Sequence, residues 1–280
     1  MEILRYRAFT TVEPDPASGN PAGVVLDAES LDDADMLRIA AGLGFSETAF
    51  LTGIERAAAR VRYFTPRAEI AFCGHATIAS GVVLARSRGA GPVVTLTTNA
   101  GLVPVEVSAD RATLVAVDTQ VEDLDGDLLD ALLAALRLDR DDLDPLLPPA
   151  LVHGGNLHPL VPVRAGVLDR LDHDDDAVLR LQDAQGWDGT VPVVHRVSAT
   201  RFASRNPFPR GGIREDPATG SAAAGLGAYL RAGRHVDAPT VLTVDQGAET
   251  GRPSLLVVEV PREGRVRVTG TAEEMAPAEG

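Results

Sequence analysis

A chain of 280 residues with 45% hydrophobic and 24% charged side chains has room for one large globular domain or two of about 140 residues, and at 4% aromatic its core must be built mainly from Val, Leu and Ala. A formal net charge of −14 argues against a nucleic-acid surface and against an anionic membrane, since both need a concentrated positive field. All 26 cationic side chains are arginine and Cys73 is the single cysteine, which excludes lysine Schiff-base chemistry, a P-loop lysine, an internal disulfide and any CxxC motif.

The opening stretch MEILRYRAFTTVEPD has no apolar run of signal-peptide length and no later stretch reads as a membrane span, so a cytoplasmic protein is expected. Ser18-Gly19-Asn20-Pro21 reads as a turn before a strand at Val24–Leu26. Apolar residues at helical spacing predict a helix over Leu31–Ala41, stopped by Gly42 and Gly44. Short strands are expected near Glu47–Leu51 and Val61–Phe64. From His75 to Arg86 the chain is small and apolar on nearly every face, the pattern of a buried helix. Strands at Val93–Thr97 and Val103–Val107 follow, then an acidic, loop-like stretch over Val117–Asp127. Beyond it lie a strand at Leu160–Val163 after Gly155-Asn156, a small-residue helix from Thr219 to Ala232 with Gly233 as its C′ residue, and strands at Val241–Val244 and Leu255–Val260. The Asp172–Asp176 run around His173 reads as a solvated turn.

The two halves repeat one plan. An offset of 146 aligns Gly74–Gly101 with Gly220–Gly247 without a gap, with 8 of 28 positions identical, among them Gly74/Gly220, Gly81/Gly227 and Gly101/Gly247. Division into 1–117 and 118–280 follows, with a cleft expected at the pseudo-twofold interface.

Each half has a tight turn feeding a helix, Cys73-Gly74-His75 and Asp216-Pro217-Ala218-Thr219-Gly220-Ser221. Unsatisfied N–H groups and the positive helix end make each turn either an anion site or an ordinary helix start packed beneath loops. Asp216-Pro217 has the form of an N-cap and N1 pair, a role compatible with reaching a substrate. Glu47, flanked by Phe45, Ala49 and Phe50, is either an exposed strand glutamate or a desolvated carboxyl with its pKa raised toward the proton-transfer range. His75, in the first turn of the buried helix, is expected to be neutral. No histidine lies in a metal-ligand spacing such as HExxH, so no metal is expected.

The segments SGNPAGVVL, GFSETAFL, YFTPRAEIAFCGHATIASG, REDPATGSAAAGLGAYL and QGAETGRPS, in this order from Phe9 to about Ser254, resemble the phenazine-biosynthesis PhzF-like isomerases of the diaminopimelate-epimerase-like fold. The resemblance implies an α+β fold of two pseudo-symmetric domains, each a curled, mostly antiparallel sheet around a central helix, and a homodimer. It implies a cofactor-independent isomerase acting on a small carboxylate substrate. Glu47 would transfer the proton, His75, Asp216 and Asn20 would contact the substrate, and amides around Gly74, His75, Gly220 and Ser221 would hold its carboxylate. The related racemases use two thiols; with Cys73 alone, a two-cysteine mechanism is excluded. The same scaffold without turnover, as a small-molecule binding protein, is the alternative.

Overall fold

In the computed structural model, which describes residues 2–13, 15–89 and 91–276, runs of Val, Leu and Thr form strands and small-residue runs form helices. The first part of the chain builds β1 (Glu2–Ala8), β2 (Asn20–Leu26), α1 (Asp33–Leu43), β3 (Glu47–Glu55), β4 (Ala58–Phe64), β5 (Glu69–Ile70), α2 (Gly74–Arg88), β6 (Val93–Thr98), β7 (Gly101–Ser108) and β8 (Arg111–Val115). The remainder builds β9 (Gln120–Asp123), α3 (Gly126–Leu136), β10 (Ala150–His153), β11 (Leu157–Val163), α4 (Asp175–Gln185), β12 (Val193–Arg196), β13 (Arg201–Arg205), α5 (Gly220–Ala232), β14 (Thr240–Gln246), β15 (Ser254–Val260) and β16 (Arg267–Glu274).

The strands form one mixed sheet in the order β1-β2-β3-β4-β6-β7-β8-β16-β15-β14-β13-β12-β11-β10-β9, with β16 also pairing β1. That extra pairing closes β1, β2, β3, β4, β6, β7, β8 and β16 into a ring around α2. The remaining strands curl around α5, which packs on β15, β10, β9 and β16. With a boundary at 117/118, β16 of the second half is thus a member of the first half's ring.

Both central helices are enclosed by strands, which explains their composition. Residues 74–84 of α2 and 220–230 of α5 are all buried. Small residues let the strands come close: a Cβ on Gly81 would lie 2.6 Å from Val105 Cγ1, and one on its repeat partner Gly227 would lie 3.0 Å from Val258 Cγ1. The main core is continuous through both halves, running from Tyr6 and Val24 to Leu242 and Val268. Smaller cores lie beneath α1 and around Trp187, where α3 and α4 cover β11 and β12.

Four expectations are corrected. The acidic Val117–Asp127 stretch is not a loop: it holds the edge strand β9, whose four residues are all exposed, and the start of α3, capped by Asp125. Asp172–Asp176 is not a solvated turn, because His173 is buried and Asp174 caps α4. Gly42 lies inside α1, and Gly44 alone ends it with φ +67°. Gly233 is not the left-handed residue after α5; its φ is −77°, and Arg234 takes φ +55° while His235 N–H donates to Leu230 O, the 6→1 bond of a Schellman ending.

The two central helices meet end to end. A Cβ on Gly74 would lie 2.8 Å from Gly220 Cα, a backbone atom that cannot swing aside. Gly74→Ala should therefore cost about 1–3 kcal/mol through overpacking, whereas Gly42→Ala, with no atom within 4 Å of the new Cβ, should stabilise by up to about 1 kcal/mol. Urea melts of both variants check the pair; a neutral Gly74→Ala would remove the tight contact.

Candidate active site

The helix-to-helix contact brings together the first turns of α2 and α5. Neither N-cap, Cys73 or Thr219, caps its helix through a side-chain hydrogen bond, so amide groups and two positive helix ends, each of about half a charge, converge on one point. A cavity of about 20 Å³ lies here, lined by Glu47, Cys73, Gly74, His75, Asp216, Gly220 and Ser221 among others, with Phe72 and Phe208 as apolar walls. It has room for about one water molecule. A cavity of that size holds no organic acid unless its walls separate.

Glu47 is the first residue of β3, opposite Ala22 of β2. Its strand is buried from Glu47 through Leu51 on both faces, so the exposed-glutamate reading fails. The side chain is 4% exposed and its Oε2 has no hydrogen-bond partner. Burial, and then the negative charge of Asp216, pushes its pKa up to about 8, against partial relief from Ser46 and Cys73. His75 Nε2 stands 3.5 Å from that oxygen. Burial holds His75 neutral, its pKa pushed down to about 3.

Asp216 is not the N-cap of α5, which begins at Gly220; Pro217 is not its first residue. One distant and one local partner claim the carboxylate instead: Asn20 Nδ2 donates to Oδ1 and Thr219 Oγ1 donates to Oδ2, each at 2.6 Å. Burial lifts the Asp216 pKa to about 7, offset by these bonds. The two carboxyls titrate as a pair. With both oxygens of Asp216 receiving hydrogen bonds and Glu47 Oε2 receiving none, the first negative charge rests on Asp216 and the shared proton on Glu47.

Asn20 does not line the cavity. It lies fully buried behind it, donating to Asp216 and to Ala218 O (3.2 Å) and accepting from Ser46 Oγ (3.1 Å). Its counterpart is Asn156, which donates to Phe72 O at 3.0 Å. Phe72 and Ala218 are themselves 146 residues apart, the repeat offset. Each half thus ties an asparagine to the carbonyl two residues before the glycine of the other half's helix.

His158 was not singled out as a site residue by sequence reasoning, although the echo of Gly19-Asn20 in Gly155-Asn156 puts it level with Ala22, the sheet partner of Glu47. It is buried against the cavity. Its Nδ1 lies 3.0 Å from Thr190 O, which can only accept, so Nδ1 carries the hydrogen and Nε2 accepts from Ser221 Oγ at 2.9 Å. Ser221 therefore presents hydroxyl lone pairs, not its proton, to the cavity. Burial lowers the His158 pKa to about 4.

Residues 6–277 match the family described as "Phenazine biosynthesis-like protein". The chain is 35% identical over 294 residues to "Uncharacterized isomerase YddE" of Escherichia coli K12, covering 99% of this chain and 97% of that one. It is 30% identical over 263 residues to "Trans-2,3-dihydro-3-hydroxyanthranilate isomerase" of Pseudomonas fluorescens, covering 92% and 89%. The crystal structure of a Bacillus anthracis phenazine biosynthesis protein of the PhzF family superposes with a TM-score of 0.81 at 29% identity, covering 99% of this chain and 98% of that one.

Burial of Glu47 has a consequence for stability. From its ordinary 4.5 up to about 8 the folded protein keeps a proton that the unfolded chain has released, so this carboxyl lowers folding stability as pH rises through that window. Glu47→Gln removes this residue's share of the slope and leaves that of Asp216. In urea melts the variant should converge with the wild type near pH 4 and gain on it toward about pH 8; parallel curves would show that Glu47 is not the desolvated carboxyl.

Proposed function

Since this chain belongs to the phenazine biosynthesis-like family of isomerase and epimerase-like enzymes, we propose that Glu47 moves one proton between two positions of a small carboxylate substrate without a cofactor. The observation that carries this reading is the buried, unpartnered Glu47 Oε2 facing the cavity beside a neutral His75.

A carboxyl lifted toward neutrality is a stronger base for a carbon acid than an ordinary one, and a usable acid once loaded. In the fraction of molecules whose Glu47 has released its own proton to solvent, the carboxylate takes a proton from carbon beside an electron-withdrawing group. The electron pair shifts into the substrate's conjugated system, and the same carboxyl returns the proton further along it. The substrate carboxylate lies against the amides of Gly74, His75, Gly220 and Ser221, where the paired helix ends favour negative charge. Asp216 and the Ser221 hydroxyl, both acceptors, receive a hydroxyl or amino group of the substrate. His75, uncharged, donates to oxygen. Closing of the walls over the substrate keeps solvent from exchanging the proton in transit. The reading takes the protein as a cytoplasmic homodimer whose halves, 1–117 and 118–280, close over the substrate. One free, buried thiol is in keeping with that compartment.

The test is a panel of small hydroxy and amino carboxylates in heavy water, with trans-2,3-dihydro-3-hydroxyanthranilate included because the Pseudomonas fluorescens relative is named for it. Mass spectrometry should find product and deuterium incorporation with the wild type, and a loss of roughly 10²–10⁴-fold in Glu47→Gln. Tight binding of a panel member with neither exchange nor product would favour a binding protein on this scaffold.

A further inference from the structure

Behind Asp216 runs a relay of hydrogen bonds that the proposed reaction leaves unused. Gln246, the last residue of β14, is buried. Its Nε2 donates to Asp216 O at 2.6 Å and to Thr219 Oγ1 at 3.0 Å, and its Oε1 accepts from the Thr219 amide at 3.2 Å. A carbonyl only accepts and an amide N–H only donates, so the two main-chain contacts fix which end of the Gln246 side chain is which. Thr219 Oγ1 also receives Asn206 Nδ2 at 3.0 Å. A hydroxyl with both lone pairs taken has its own hydrogen left to give, and the partner left for it is Asp216 Oδ2 at 2.6 Å. The Thr219 hydrogen therefore points at Asp216. We propose that Thr219, oriented by Gln246, is a positioning residue that keeps Asp216 charged and so holds the proton shared by the two carboxyls on Glu47.

Hydrogen bonds given to the charged form of an acid favour that form. A proton added to Asp216 on the Thr219 side would face another O–H, and Thr219 would have to release one of its two amide donors to accept it. Asn20 Nδ2 takes the same role at the other oxygen. Other titratable groups stand around the pair. Burial pushes the Cys73 thiol up and the His75 imidazole down, so both groups from the turn before α2 are uncharged near neutrality. Glu215, beside Asp216 in the chain, is turned to His173 and to Arg205, whose Nε donates to it at 3.1 Å. The shared proton thus lies between Glu47 and Asp216, and the relay decides its side. The fold itself does not call for the relay. At the 146-residue offset Asp216, Thr219 and Gln246 correspond to Ile70, Cys73 and Ala100, so the first half builds the same turn and helix without the acid, the hydroxyl or the amide. Only the use of the proton in turnover rests on the function proposed above; its location does not.

The readout is the infrared C=O stretch of protonated carboxyls in the full-length chain, with the side-chain carboxyls of glutamate carrying heavy carbon in one sample and those of aspartate in another. At a pH between about 7 and about 8, the values to which burial lifts Asp216 and Glu47, the wild-type band should shift with glutamate labelling alone and vanish in Glu47→Gln. Thr219→Val keeps the size of the side chain and removes the hydroxyl. The ratio of protonated Glu47 to protonated Asp216 should then fall about tenfold or more, the scale of a lost hydrogen bond to a charged group. Thr219→Ser, which keeps the hydroxyl, should hold the wild-type ratio. Gln246→Met should lower the ratio on its own and change nothing further in the Thr219→Val background, as expected of a residue that acts through another. Circular dichroism confirms that each variant is folded. A wild-type band that follows aspartate labelling overturns the proposal. So does an unchanged ratio in either folded variant, and one variant suffices if the other does not fold. An equal fall from Gln246→Met with and without the hydroxyl overturns the relay through Thr219. No substrate is present, so none of these results touches the heavy-water test.

Discussion

The architecture turns on one contact, the backbone of Gly74 against the backbone of Gly220. Two helix N-termini repel when they converge, and each also leaves amide hydrogens to satisfy. Surrounding both helices with strands forces them together nevertheless, and removing both side chains lets them touch. The unfavourable field is concentrated where anionic groups are most welcome. That is where Glu47, Asp216 and Cys73 are found, and where a carboxylate ligand would complete the balance. Much of the site's polarity is thus a by-product of packing two duplicated halves head to head.

The duplication is geometrical more than chemical. The asparagine cross-ties to Ala218 and Phe72 preserve the pseudo-twofold relation, and so do the close glycine approaches in the two helices. The titrating groups have diverged: one half offers Glu47 and His75, the other Asp216 and the Ser221–His158 pair. A symmetric site could treat both faces of a substrate alike. This one sets an unpartnered carboxyl with a raised pKa on one wall and a network of fixed acceptors on the other, which suits a single proton carrier better than two equivalent ones.

What could be read from the chain was local and repeated. Gly-rich turns, the small-residue helices and the 146-residue offset need only neighbours in sequence, so they were legible, and they brought the central helices and most of the cavity lining with them. The misses have tertiary causes. β9 has four exposed residues and no apolar alternation, because it is held as an edge strand by β10 alone. Asp216-Pro217 obeys a helix-start rule, but Asn20, nearly 200 positions away, supplies a stronger partner for the carboxylate. Glu47 sits in a stretch whose pattern leaves its exposure open; burial comes from covering both faces of β3. His158 acquires meaning only through Thr190 and Ser221, which the fold places on either side of its ring.

The membership of β16 in the N-terminal ring bears on how the protein is made. As residues up to Val115 leave a ribosome, seven of the eight staves around α2 exist, but β1 and β8 have no partner on their outer sides. Such open edges invite pairing with other chains. Closure must await Arg267–Glu274, some 150 residues later, after the strands around α5 have been synthesised. So distant a pairing is slow to form. Until β16 has been made, the nascent N-terminal ring therefore keeps two unpaired strand edges.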